Sequence, residues 1–195
     1  MNKKNTSVLI VGVGGQGILL AGKILSEGLL TFGYDVKMSE IHGMAQRGGS
    51  VSSHIRYGEK VFSPVIDRGR ADLIVAFEKV EALRWLPWLS PEGTLLVNNE
   101  EIYSMPVILG RQAYPDRLEE VLPSLVSSVK VLEASKIARE AGEPRSANMV
   151  LLGAAVALLK LDERDWGSIL DKGLPSRGRE KNKEAFARGV ASLKA

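Results

Sequence analysis

The chain contains no cysteine. Disulfides, cysteine-ligated zinc and iron–sulfur clusters held by this polypeptide alone are therefore excluded, and any cluster chemistry beside it would belong to another chain. Histidine is scarce as well: His42 and His54 are the only two, and with Glu40 they match no recognised metal spacing. No secretory signal is expected, because residues 1–7 read as polar and the apolar stretch 8–11 is too short for a signal core. No run approaches the roughly 18 to 20 apolar residues of a membrane span, the longest lying near 149–159. A cytoplasmic protein without a membrane partner is expected. Internal repeats, low-complexity segments, a nucleophile elbow, a P-loop and a catalytic carboxylate pair are all missing.

What is present fits one folded unit. The chain has 195 residues, 45% hydrophobic and 25% charged, enough for a real core but cramped for two domains. A single domain over 1–195 is expected, with an α/β sheet core at 1–145 and a helical tail at 146–195. The net charge of +3 is modest, and aromatics do not interleave with basic clusters, so no nucleic-acid partner is expected. Arg177, Arg179, Lys181 and Lys183 form the densest basic stretch. It reads as a solvated helix start, with an anion or partner patch as the other option.

Hydrophobic periodicity predicts strands at 7–11, 36–39, 51–57, 71–77, 94–98 and 129–132, and a further strand near Val107. In 51–57 the residues Ser52, His54 and Arg56 alternate with Val51, Ser53, Ile55 and Tyr57, the pattern of a strand with one polar face. A turn at 58–60 then predicts a hairpin with 61–63, and Ser90 to Gly93 reads as a turn. Helices are predicted at 15–32, closed by Gly33, at 80–89, at 134–141, at 147–161 with Ser146 as its N-cap, and at 162–171 and 180–194. Trp85 and Trp88 read as packing residues. The fold class is α/β: a Rossmann-like, doubly wound, mostly parallel sheet with one β-hairpin and a C-terminal helical extension.

Two glycine-rich segments stand out. Gly12, Gly14 and Gly17 satisfy G-x-G-x-x-G between a predicted strand and a predicted helix, the setting of a dinucleotide pyrophosphate turn. Glu40 follows Gly17 by 23 positions (40 − 17), near where a ribose-binding acid belongs. The competing explanation is a tight strand-to-helix turn with close packing. The second segment runs from Glu40 to Ser50 and suits neither helix nor strand. Gly43, Gly48 and Gly49 would each cost a helix about 1 kcal/mol, and as a strand Gln46 and Arg47 would have nothing to pack. An ordered, donor-rich loop remains, and Arg47 beside its glycines could serve a carboxylate or phosphate or pair with Glu40. Hydrogen bonding that holds this loop is the expected role of His42 and His54.

Gly12-Val13-Gly14-Gly15-Gln16-Gly17, the run from Ser39 to Val51, the Ser63-Pro64 step and Ser146-Ala147-Asn148-Met149 together resemble the gamma subunit, or gamma domain, of 2-oxoacid:ferredoxin oxidoreductases. The small beta subunit of the indolepyruvate type is the nearest member. The resemblance implies a subunit of an enzyme that oxidatively decarboxylates a 2-oxo acid such as pyruvate, ketoisovalerate or indolepyruvate to an acyl-coenzyme A. It implies ferredoxin as electron acceptor, with thiamine diphosphate, iron–sulfur clusters and coenzyme A in the assembled complex and none of them bound by this chain alone. Partner subunits would carry the thiamine diphosphate and clusters, which agrees with the missing cysteines. No residue here would be catalytic. Those expected to meet a ligand or an interface are Gly12, Gly14, Gly15, Gln16 and Gly17; Glu40, His42, Gly43, Met44, Gln46, Arg47, Gly48, Gly49 and Ser50; and Asn148. Two alternatives stay open: a self-sufficient nicotinamide-dependent dehydrogenase resting on Gly12, Gly14, Gly17 and Glu40, and a stand-alone binding module.

Overall fold

The protein is described by a computed structural model covering residues 5–42 and 49–193. Among these residues the strands are β1 (Thr6–Val13), β2 (Asp35–His42), β3 (Ser50–Gly58), β4 (Ala71–Ala76), β5 (Leu89–Asn98) and β6 (Val129–Leu132). The α-helices are α1 (Ile18–Thr31), α2 (Lys79–Trp85), α3 (Met105–Ile108), α4 (Leu118–Leu125), α5 (Ala134–Glu140), α6 (Ala147–Leu158), α7 (Gly167–Gly173) and α8 (Arg179–Ala191). The sheet order is β2-β3-β1-β4-β5-β6. Strands β1, β4, β5 and β6 are mutually parallel, and β3 runs against both neighbours.

Apolar side chains cover both faces of this sheet. One face meets α1 and α5 through α8, using Val8, Ile10, Ile55, Val75 and Leu96. The other meets α2 and α4, using Leu9, Val11, Ile74, Leu95 and Val97. Two covered faces explain the near-continuous aliphatic runs of β1, β4 and β5.

The expected doubly wound sheet with a single hairpin is present, but the hairpin is a different one. It joins β2 to β3 through the Glu40–Ser50 segment, with Asp35 opposite Gly58 and His42 opposite Val51. Residues 61–63 do not pair with β3, because β1 and β2 already use both of its edges. The amide of Val61 donates instead to Asp35 Oδ2 at 2.8 Å. The supposed polar face of β3 is covered as well: Ser52 and His54 are buried, and His54 lies against the Trp85 ring and the Ile66 amide.

Other departures are local. Val107 lies in α3, where Pro106 occupies a first-turn position that needs no amide donor. Residues 90–93 belong to β5, whose pairing with β4 shifts register between Ala71 and Leu73. Residues 162–166 are not helical, and α7 starts only at Gly167. Trp166 packs edge-on to Phe32 and donates to the Leu161 carbonyl at 2.9 Å. Ser146 does not cap α6; its hydroxyl donates to Asn182 Oδ1 at 2.8 Å and ties the start of α6 to α8.

Helices α6 and α8 touch backbone to backbone. A Cβ on Gly153 would lie 2.1 Å from the Phe186 carbonyl oxygen, and one on Gly189 would lie 2.0 Å from that of Val150. Helix propensity alone would make Gly189→Ala favourable by about 1 kcal/mol. Overpacking against a rigid carbonyl opposes it by about 1–3 kcal/mol or more. Gly189→Ala is predicted to lower unfolding free energy in urea by about 2 kcal/mol, so even the sign of the measured change tests the close approach.

Candidate functional site

After β1 the chain crosses to α1 on one face, and after β4 it crosses to α2 on the other. Between these adjacent parallel strands the connections diverge at their C-terminal ends, which opens a crevice where α/β sheets bind ligands. The first glycine-rich segment lines it. A Cβ on Gly12 would approach Gln16 Oε1 to 2.6 Å and Phe77 Cβ to 2.8 Å, so only glycine fits. Gly17, with φ 81°, takes the left-handed conformation that starts α1, and Asn148 packs so closely that a Cβ there would meet its Nδ2 at 2.4 Å.

The turn's own groups satisfy most of its donors. The Val13 amide donates to Gln16 Oε1 at 2.7 Å, and Gln16 Nε2 donates to the Phe77 carbonyl at 2.9 Å. The Gly14 amide donates to the Gly49 carbonyl at 2.9 Å and that of Gln16 to the Val13 carbonyl at 3.2 Å. Asn148 Nδ2 reaches the Gly17 carbonyl at 3.4 Å. A dinucleotide turn needs amides free for a pyrophosphate, and those of Val13, Gly14 and Gln16 are committed inside the protein.

Topology also removes Glu40 from the ribose position. It lies on β2 opposite Ser53, and β3 stands between β2 and β1. Two strand spacings place it roughly 10 Å sideways from β1. The neighbour of the glycine turn is Ser50, opposite Val13.

Ser50 opens a polar cluster beneath α2. Its hydroxyl donates to Glu81 Oε2 at 2.5 Å, Trp85 Nε1 donates to the same oxygen at 3.3 Å, and Arg84 Nε donates to Glu81 Oε1 at 2.9 Å. Glu81 is only 4% exposed. Glu78 caps α2 by accepting the Glu81 amide at 2.9 Å, and it also accepts the Tyr114 hydroxyl at 2.5 Å. Burial, reinforced by this bond to Glu78, pushes the Tyr114 phenol well above its ordinary range. Lys79 is buried too; desolvation opposes its charge, but Glu101 at 2.7 Å and Glu119 at 2.9 Å outweigh that and hold it above the usual lysine value. Ser50, Glu78, Glu81 and Arg84 line a cavity of about 680 Å³ together with residues 102–107 and 112–115.

The structure thus brings Gly12, Gly14, Gly15, Gln16, Gly17, Gly49, Ser50 and Asn148 together and leaves Glu40 apart. Gly43, Met44, Gln46, Arg47 and Gly48, and the side chain of His42, lie outside the described residues, as do the expected contacts of Glu40 with His42 or Arg47. Among the described residues His54 Nδ1 accepts the Ile66 amide at 3.2 Å. Sequence reasoning missed Glu78, Glu81 and Tyr114. The acidic pair three residues apart at a helix start was the available signal for the first two; nothing local marks Tyr114.

Two outcomes follow from this geometry. Gln16→Leu keeps the volume but strands the Val13 amide, and should lower urea-measured stability by about 1–3 kcal/mol. His54 is 3% exposed, and burial holds its pKa below the ordinary 6.5. A depressed histidine favours the neutral form, so its contribution is present above 6.5 and lost as pH falls through the lower folded-state value. Unfolding free energy should therefore drop between pH 7.5 and 5, and less so in His54→Gln.

Comparison with known proteins places the chain. The profile of the family described as pyruvate ferredoxin/flavodoxin oxidoreductase matches residues 7–192. Indolepyruvate oxidoreductase subunit IorB of Methanothermobacter thermautotrophicus is 41% identical over 192 residues, covering 96% of this chain and 97% of that one. The gamma subunit of a keto/oxoacid ferredoxin oxidoreductase from Geobacter sulfurreducens superposes with a TM-score of 0.73 at 22% identity, covering 98% of each chain. The 2-oxoglutarate:ferredoxin oxidoreductase from Magnetococcus marinus superposes with a TM-score of 0.74 at 22% identity, over 98% of this chain but 31% of that one. The chain belongs to the pyruvate ferredoxin/flavodoxin oxidoreductase family and is a subunit of a 2-oxoacid:ferredoxin oxidoreductase.

Proposed function

We propose that the chain is the small, non-catalytic subunit of a cytoplasmic, thiamine-diphosphate-dependent complex that oxidatively decarboxylates an aromatic 2-oxo acid of the indolepyruvate kind to its acyl-coenzyme A. Similarity to the IorB subunit supports the substrate class. The observation that carries the non-catalytic role is the internal commitment of three amides of the glycine turn: those of Val13, Gly14 and Gln16, which a self-sufficient nucleotide site would offer, are bonded within the protein. That same commitment disfavours the nicotinamide-dependent alternative. In the complex, thiamine diphosphate supplies the electron sink for carboxylate loss, partner clusters pass the electron pair to ferredoxin, and coenzyme A takes the acyl group. The Magnetococcus chain is longer than the fold it shares with this one. The role of that additional polypeptide is assigned in this proposal to a partner that would hold thiamine diphosphate and clusters.

The contribution of this chain is to support that partner's site. The β2–β3 connection leaves the sheet at His42 and returns at Gly49, beside the glycine turn. The proposed role of Gly43 to Ser50, and of Arg47 above all, is to complete the partner's site with donors that a scaffold holds in place. The reconstituted complex should reduce ferredoxin when given indolepyruvate and coenzyme A, whereas each subunit alone should not. Arg47→Ala should assemble normally yet turn over about tenfold more slowly, the scale of one charge-assisted hydrogen bond. Saturable NADH binding by the isolated chain, or full activity of the Arg47→Ala complex, would count against this assignment.

A further inference from the structure

Among the described residues some exposed large apolar side chains are isolated along the chain, such as Leu30 and Phe62. Residues 103–109 are different. Tyr103 is 52% exposed, Met105 64%, Ile108 63% and Leu109 56%. Isolated exposed hydrophobics need no explanation, whereas a contiguous set marks an interaction surface.

This segment is braced from below. The Tyr114 ring contacts that of Tyr103 at 5.2 Å between centroids, and the Tyr114 hydroxyl is bonded to buried Glu78. Lys79 pins Glu101 on one side and Glu119 on the other. The amides of Ile108 and Leu109 close a helical turn on the Ser104 and Met105 carbonyls, both at 2.9 Å, and those of Gly110 and Arg111 fold back onto Val107 and Pro106. Such bracing costs conformational entropy that an exposed apolar loop does not recover by itself. An apolar centre with Arg84, Glu101 and Arg111 nearby in the fold has the composition of a protein–protein contact.

We infer that the segment Tyr103–Leu109 is a docking surface for the thiamine-diphosphate- and cluster-bearing partner subunit. The inference rests on the function proposed above. Two observations select this occupant. Residues 103–107 of the segment line the same cavity as Ser50 and Val13, so it adjoins the edge proposed above for that partner. In addition, the same fold makes up only 31% of the longer Magnetococcus chain. A polypeptide of more than twice this chain's length is available there to cover such a face, and the proposed partner subunit is the occupant assigned to it here. The occupant is expected to present apolar side chains, because four large hydrophobics would otherwise desolvate its charges without repayment.

The test measures binding of the purified full-length chain to the purified partner subunit by biolayer interferometry. The double variant Met105→Glu/Ile108→Glu should lose about 100-fold in affinity, while the control Phe62→Glu, at an exposed apolar residue elsewhere, should bind as wild type does. Circular dichroism and melting temperature check that the variants fold; if the double glutamate variant does not, Met105→Ser/Ile108→Ser replaces it, with at least a tenfold loss expected. Folded double variants that bind within threefold of wild type overturn the inference and leave the proposed function standing. Failure of the wild-type chain to bind the partner at all overturns the proposed function and the docking surface with it. Should light scattering show a wild-type dimer that the double variant dissociates, with partner binding unchanged, the surface belongs to a second copy and the inference falls.

Discussion

The architecture depends on the close contact between β1, the turn after it and the end of β4. Gly12 has no Cβ because Phe77, Ile18 and the Gln16 amide occupy that space. Gln16 then clamps the Val13 amide to the Phe77 carbonyl, so that one side chain joins the strand feeding α1 to the strand feeding α2. Since those helices lie on opposite faces, this clamp holds together the two halves of a doubly wound sheet where they part. A larger residue at position 12 or a shorter one at 16 would loosen the sheet at its switch point. Hydrogen bonds inside a buried turn are weak in net terms but costly to leave unmade.

That clamp also determines what the edge can do. Glycines in this motif are usually read as room for phosphate oxygens, and at Gly12 and Gly17 that room is filled from within. The neighbouring carboxylates are similarly engaged: Glu81 by Ser50, Arg84 and Trp85, Glu78 by Tyr114 and the α2 amide. A rigid and internally satisfied edge is well suited to presenting a loop and an apolar segment to another protein. It is poorly suited to chemistry that needs free donors and a poised base. The absence of cysteine and the committed amides of Val13, Gly14 and Gln16 therefore point the same way from independent directions.

Much of the fold was legible in the chain. Buried parallel strands announce themselves as unbroken aliphatic runs, so β1, β4 and β6 were located, and α1, α5 and α6 follow from apolar periodicity with glycine boundaries. Glycine and asparagine positions at the switch point were legible too, because Gly12, Gly17 and Asn148 sit within long recognisable motifs. The misplaced hairpin had a physical origin. The alternation in β3 is that of a half-exposed strand, yet the protein buries Ser52 at 1% exposure and His54 at 3%. Pairing partners are chosen by edges, and no local pattern tells which edge of β3 is already taken.

By itself the sequence determined the class of fold, the exclusion of cysteine-ligated metal and the family, since each depends on composition, periodicity or contiguous motif. Only the tertiary structure decided that β3 separates Glu40 from the glycine turn, that Gln16 and Gly49 accept the Val13 and Gly14 amides of that turn, and that Tyr114 reaches across 36 residues to Glu78. Those facts depend on strand order and on contacts between distant segments. Spacing along a chain fixes which residues can share one element, but which elements become neighbours is settled by burying both faces of the sheet at once.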